Sequence, residues 1–439
     1  MSDIQPKDIH SELSKHLLVD GYDMVLDLER SEGAYIYDSV SGKKYLDFFT
    51  FFASGPVGLN HPKLLDPDWL EKVKYAVANK PSNSDVYTTE MAACVNAFSR
   101  VAIPAYLPHL FFVSGGALAV ENCLKTAFDW KVRKNFAKGI KEEKGHQVIH
   151  FKDAFHGRSG YTMSLTNTDP VKTDYFPKFK WPRVSSPFLQ FPLTEESLQT
   201  AAAAEKKTLE EIKKAIRENP GDIAAILLEP IQCEGGDHHF RKEFFQALRA
   251  AADENEILLI LDEVQTGLGM TGKMWCHQHF DIEPDMIAFG KKTQVCGLLA
   301  SKRIDEIDDN VFSVSGRINS TFGGNLMDMV RFEKYLEIIE EEKLVENAAV
   351  QGDYLLSGLT DLQKEFPGKV SNARGMGLIC AFDMPDAAKR NEAINKMKEL
   401  GMIILSCGPI SIRCRPRLNV TREEIDEALR IMREAIKAV

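Results

Sequence analysis

A chain of 439 residues, 44% apolar and 27% charged, is ordinary for a globular protein of two or three domains, and its formal net charge of −10 argues against nonspecific binding to nucleic acid. No apolar run approaches the roughly 18 residues of a membrane span, and the polar, mixed-charge opening segment is not a signal peptide. The eight cysteines stand singly, without a Cys-x-x-Cys pair or a metal-spaced His–Cys cluster, so a reducing cytoplasm and no metal are expected.

Near the start, AYIYDS and KKYLDFF flank Ser41-Gly42, a hairpin signal. From residue 107 to 292 short apolar runs alternate with helical patterns, which predicts a largely parallel sheet with covering helices. HLFFVSGG (109–116) precedes a helix over 118–136, and QVIHFKDAFHG (147–157) is the next strand and loop. The alanine run 201–204 opens a charged surface helix through 217. IAAILLEPIQ (223–232) leads to a helix over 244–254 and then to ILLILDEVQTG (257–267). MIAFGKK (286–292) and GLLASKR (297–303) continue the sheet. After about residue 325 the pattern changes to helices over 327–342 and 345–366, then strands LICAFDM (378–384), MIILSCG (402–408) and SIRCRPR (411–417). A last helix over 421–437 opens with a Thr421–Glu424 capping box.

Two of these runs end on ionisable residues, Asp262 and Lys291. In open α/β sheets ligands bind at the carboxyl ends of strands. A lysine and a carboxylate presented there suit a pyridoxal phosphate enzyme, in which the lysine forms a Schiff base and the acid keeps the pyridine nitrogen protonated. Such residues also serve as helix caps and solvated turns, so the rest of the chain must decide. Ser114-Gly115-Gly116-Ala117, between a strand and a helix, could offer backbone N–H groups to a phosphate. Phe155 could stack on a planar cofactor, and Arg158 could hold a carboxylate. Glu229-Pro230 ends its strand, and Glu234 follows in a glycine-rich loop flexible enough to move. Thr321 lies in a glycine turn. Arg413, Arg415 and Arg417 alternate along a strand-like run, so all three would face one side and would need anions or carboxylates opposite them.

Together these segments resemble the class III (ω-) aminotransferases of the fold-type I pyridoxal phosphate enzymes, over nearly the whole chain. NKPSNSDVYT (79–88), HLFFVSGGALAVEN (109–122), AFHGRSGYTMSLTNT (154–168), DEVQTG (262–267), AFGKKTQVCG (288–297) and NSTFGGN (319–325) are most similar to members that act on the ε-amine of lysine. The resemblance implies an α/β fold with a mostly parallel seven-stranded sheet in a large domain (71–325). A smaller α+β domain (326–439) and an N-terminal segment (1–70) that packs with it complete the chain.

It further implies pyridoxal 5′-phosphate bound by Gly116, Ala117, Phe155, Asp262, Gln265 and Lys291, with Thr321 supplied by the other subunit of a homodimer. Lys291 would carry the cofactor and move the proton, Asp262 would pair with the ring nitrogen, and Gln265 would sit near the phenolic oxygen. Arg158, Glu234, Arg413 and Asn319 would serve the substrates, L-lysine and 2-oxoglutarate, giving 2-aminoadipate 6-semialdehyde and L-glutamate. Ornithine or 4-aminobutyrate is the alternative donor. Members of the family commonly carry Arg-x-x-Pro-Pro-Leu near the end; here Arg417 replaces the second proline, which leaves open which arginine is used.

Overall fold

The computed structural model describes residues 4–439. The expected hairpin is present as β1 (Tyr35–Tyr37) and β2 (Lys44–Asp47), paired antiparallel. Its turn is fixed by Asp38, whose carboxylate accepts from the Val40 and Ser41 N–H groups at 3.1 and 3.2 Å.

Seven strands follow: β3 (His109–Val113), β4 (Gln147–Phe151), β5 (Arg183–Val184), β6 (Ile223–Leu228), β7 (Leu258–Asp262), β8 (Met286–Phe289) and β9 (Cys296–Ala300). They form one sheet in the order β3-β9-β8-β7-β6-β4-β5. Only β9 is reversed, antiparallel to both β3 and β8. The other six therefore bring their carboxyl ends to one edge, and that edge carries the chemistry described below. Every residue of β6, β7 and β8 is buried, which a sheet achieves only with cover on both faces. Successive residues feed opposite sides. Leu258 and Ile260 pack with the helix Gly116–Ala137, and Leu259 and Leu261 with the helix Lys242–Glu254. Each such buried Leu or Ile contributes roughly 1.5–3 kcal/mol.

The remaining strands are β10 (Ser371–Met376), β11 (Ile379–Asp383), β12 (Met402–Ile403), β13 (Leu405–Cys407) and β14 (Ser411–Cys414), preceded by helices Leu326–Glu341 and Leu344–Glu365. A four-stranded sheet runs β10-β11-β14-β13. The run 402–408 is not one strand: β12 pairs parallel with β2, while β13 crosses to β14. The polar, glycine-bearing β10 gave no alternation to read. β14 stops at Cys414 because Pro416, two residues on, has no N–H to lend a ladder. The helix over the alanine run begins earlier than expected, at Glu195, where Thr194 caps it. The final helix, Arg422–Ala438, carries the expected capping box. No described helix is long and apolar enough to cross a membrane.

Candidate active site

The carboxyl ends of β3, β4, β6, β7 and β8 converge on a cavity of about 300 Å³, within the range of small-molecule sites. Its wall includes Gly116, Ala117, Phe155, Arg158, Asp262, Gln265 and Lys291, seven residues that sequence reasoning singled out.

At one end stands the N-terminus of the helix Gly116–Ala137. Gly115 precedes it at φ 114, and no side chain among the described residues caps it, so its first N–H groups are available to an anion. Gly157 lies against it at φ 110; a Cβ there would come within 2.4 Å of the Ala117 Cβ, so only glycine permits the approach.

Asp262 ends β7. Its Oδ1 accepts from the Val264 N–H at 3.1 Å, and its Oδ2 lies 2.8 Å from His156 Nδ1. An acceptor-only carboxylate requires that Nδ1 to donate, which fixes the imidazole and orients the acid. The other ring nitrogen of His156 is buried with no partner among the described residues. Glu229, past the end of β6, accepts from the N–H groups of Phe155 at 2.9 Å and Cys233 at 3.2 Å. Burial, then the nearby charge of Asp262, pushes its carboxyl well above the ordinary range. Sequence reasoning passed over His156 and Glu229 as functional residues. Each sat in a motif already noted, but the signal that marks them is long-range contact.

The two lysines after β8 have different surroundings. Lys291 lines the cavity from a left-handed backbone, φ 54, a strained position for a residue with a Cβ. Burial, then the positive charge of Arg413, brings its ammonium down to about 8. Lys292 turns away into the protein, where its Nζ donates to the Gln265 carbonyl at 2.7 Å. Burial and its neighbour Lys291 lower it to about 7. Geometry thus settles which amine faces the cavity.

The three arginines do not share one side. Arg413 pairs with Glu234 at 2.8 Å. Arg415, wholly buried, pairs with Asp237. Arg417, beyond the strand, pairs with Glu424 at 2.6 Å and faces the last helix. Each has its carboxylate, and only Arg413 and Arg415 approach the cavity, through Gln265. The Gln265 Oε1 accepts from Arg415 Nε at 3.1 Å and Arg413 Nη1 at 3.5 Å, which leaves its NH₂ end to donate to a ligand oxygen. Arg413 and Glu234 lie just behind the lining. Glu234 also differs from expectation: it sits in a packed helical turn, Cys233–Gly236, not a free loop. A Cβ on Gly235 would come within 2.1 Å of the Asp153 carbonyl oxygen, so the turn packs closely against that segment and only glycine fits there. Burial pushes the Glu234 carboxyl up, but Arg413 and Lys172 outweigh it and leave it below the ordinary value.

Asn319 and Thr321 lie outside this cavity. Both are exposed, on a loop strapped to the segment 82–84 by Ser84 Oγ donating to the Ser320 carbonyl at 2.6 Å and Asn83 Nδ2 to that of Phe322 at 2.9 Å.

A model of the class-III aminotransferases matches residues 19–436. The chain belongs to that family. It is 51% identical to an L-lysine-epsilon aminotransferase of Mycobacterium tuberculosis over 435 residues, covering 99% of this chain and 96% of that one. A Streptomyces clavuligerus enzyme of the same name is 48% identical, covering 100% and 96%. Among solved structures, a lysine aminotransferase from M. tuberculosis in the internal aldimine form superposes with a TM-score of 0.97 at 51% identity, over 99% and 100% of the chains. The cofactor of this aminotransferase is pyridoxal phosphate, and its cavity fits that group. An uncapped helix N-terminus suits the phosphate, Phe155 and Val264 offer apolar surface to the ring, Asp262 suits the ring nitrogen and Lys291 the aldehyde.

Proposed function

We propose that this aminotransferase moves the ε-amino group of L-lysine to 2-oxoglutarate, leaving 2-aminoadipate 6-semialdehyde and L-glutamate. Bound pyridoxal phosphate supplies an electron sink that stabilises negative charge on the carbon losing its proton. Gly116 and Ala117 would hold its phosphate, Phe155 its ring, Asp262 its ring nitrogen in protonated form and Gln265 its phenolic oxygen. Lys291 anchors it and, once released, carries a proton to and from the substrate's reacting carbon. A depressed pKa makes that amine an effective base near neutrality.

The observation that carries the choice of substrates is the paired state of Arg413. Lysine brings only CH₂ beside its reacting carbon, and a bare buried guanidinium facing it would be costly. Glu234, 2.8 Å from Arg413, removes that charge for the donor. When 2-oxoglutarate arrives with a carboxylate next to its reacting carbon, Glu234 gives way and Arg413 binds the acid. Arg158 would take the far carboxylate of either substrate; its exposure at the cavity, with no ion-pair partner among the described residues, supports that reading. The names of the relatives at 48–51% identity favour lysine over ornithine or 4-aminobutyrate. The exposed loop bearing Asn319 and Thr321 would complete the neighbouring subunit's phosphate site in a homodimer.

An amine panel tests this. Lysine alone should bleach the visible band of the holoenzyme, and 2-oxoglutarate should restore it. Faster bleaching by ornithine or 4-aminobutyrate would overturn the donor assignment.

A further inference from the structure

Glu234 is held from two sides. Its Oε2 accepts from Arg413 Nη2 at 2.8 Å, and its Oε1 from Lys172 Nζ at 2.6 Å. The inner cation has a side chain only 2% exposed, the outer one 24%. Lys172 reaches in from a surface turn, Pro170–Lys172, held by the Asp169 carboxylate, which accepts from the Val171 N–H at 3.0 Å. The Lys172 ammonium also donates to Thr168 Oγ1 at 3.4 Å and stands 5.3 Å over the Phe155 ring. It is thus held beside the cavity mouth, on the opposite oxygen of the Glu234 carboxylate from Arg413.

We propose that Lys172 is a positioning residue for substrate exchange, the outer station on which Glu234 remains paired when a dicarboxylate takes Arg413. The inference rests on the reading of Glu234 as a movable counter-ion. Charge counting gives its direction. With the acceptor bound, Arg413 and Lys172 balance Glu234 and the incoming carboxylate. Without Lys172, two acids would share a single guanidinium, and one would be left partly buried and unpaired. With the donor bound, Glu234 and Arg413 balance each other, and Lys172 only competes for the carboxylate. Lys172 therefore favours the acceptor half of the cycle.

The test uses the holoenzyme and glutarate, a five-carbon dicarboxylate that lacks the reacting carbonyl. Lys172→Gln should raise the glutarate Kd by calorimetry, and the KM for 2-oxoglutarate, about five- to ten-fold, the scale of one partly exposed ion pair. The lysine half-reaction, followed separately by stopped flow, should hold or gain up to about two-fold, and Lys172→Arg should restore acceptor binding. In a Glu234→Ala background, Lys172→Gln should add nothing, because the two act as a unit. Undiminished weakening in that background would overturn the proposal, since Lys172 would then touch the acceptor directly. Equal losses in both half-reactions would overturn it as well, by reducing Lys172 to a structural support. Failure of the underlying reading looks different: Glu234→Ala alone would then slow both half-reactions equally.

Discussion

The floor of the cavity and its rim are built on different principles. The floor consists of strand ends and the loops immediately after them, and its polar contacts are short and inward: Asp262 on His156, Glu229 on the N–H groups of Phe155 and Cys233, Lys292 on the Gln265 carbonyl. The rim, together with the layer just behind the lining, consists of side chains from distant segments joined by ion pairs, Arg413 on Glu234 and Glu234 on Lys172. Fixed contacts suit a reaction step common to every substrate. Exchangeable pairs suit the proposed cycle, which brings a carboxylate to the site in one half and a methylene in the other.

Changes to the floor should therefore cost both half-reactions alike, and changes to the rim should separate them. Lys291→Ala has the largest expected effect, a loss of roughly 10⁴-fold in turnover with cofactor binding partly retained. Lys292→Met, one residue on, should lower turnover only about ten-fold while cofactor attachment survives, since it removes two hydrogen bonds to backbone carbonyls, those of Gln265 and Ala53, and nothing that faces the cavity. Reversed magnitudes would mean that the amines are misassigned. Asp262→Asn should cost roughly 10²–10³-fold in both halves, as expected for an electrostatic group aimed at developing charge. His156→Gln should cost about ten-fold, again in both, by loosening that acid. At the rim, Glu234→Ala should slow the lysine half-reaction about ten-fold more than the 2-oxoglutarate half-reaction in stopped flow, and equal losses would erase the distinction between floor and rim.

The same contrast explains what the sequence made legible. Apolar runs broken by an acid or a Gly-Lys display their strand ends directly, so Asp262, Lys291, Gly116 and Phe155 could be read from local pattern. The parallel sheet followed from the spacing of those runs. His156 and Glu229 were missed because their roles lie in contacts with residues 106 and 74 positions away. Lys172 was invisible for the same reason: nothing in the local pattern around it points to Glu234, 62 positions on. The arginines at alternate positions were expected to share a face; Pro416 ends the strand before Arg417, and so sends it elsewhere.

The smallest effect concerns pH. Capture of pyridoxal phosphate by the cofactor-free protein should quicken as pH rises and level off above about 8, because only the neutral Lys291 amine attacks and its ammonium is held at about 8. A lysine at the ordinary value would go on gaining rate through pH 10.

The most direct test of the central assignment is borohydride reduction of the holoenzyme, which freezes the bond between cofactor and protein, followed by peptide mass mapping. The added cofactor mass should fall on Lys291 alone. Its appearance on Lys292, or its absence from the peptide that carries both, would contradict the assignment.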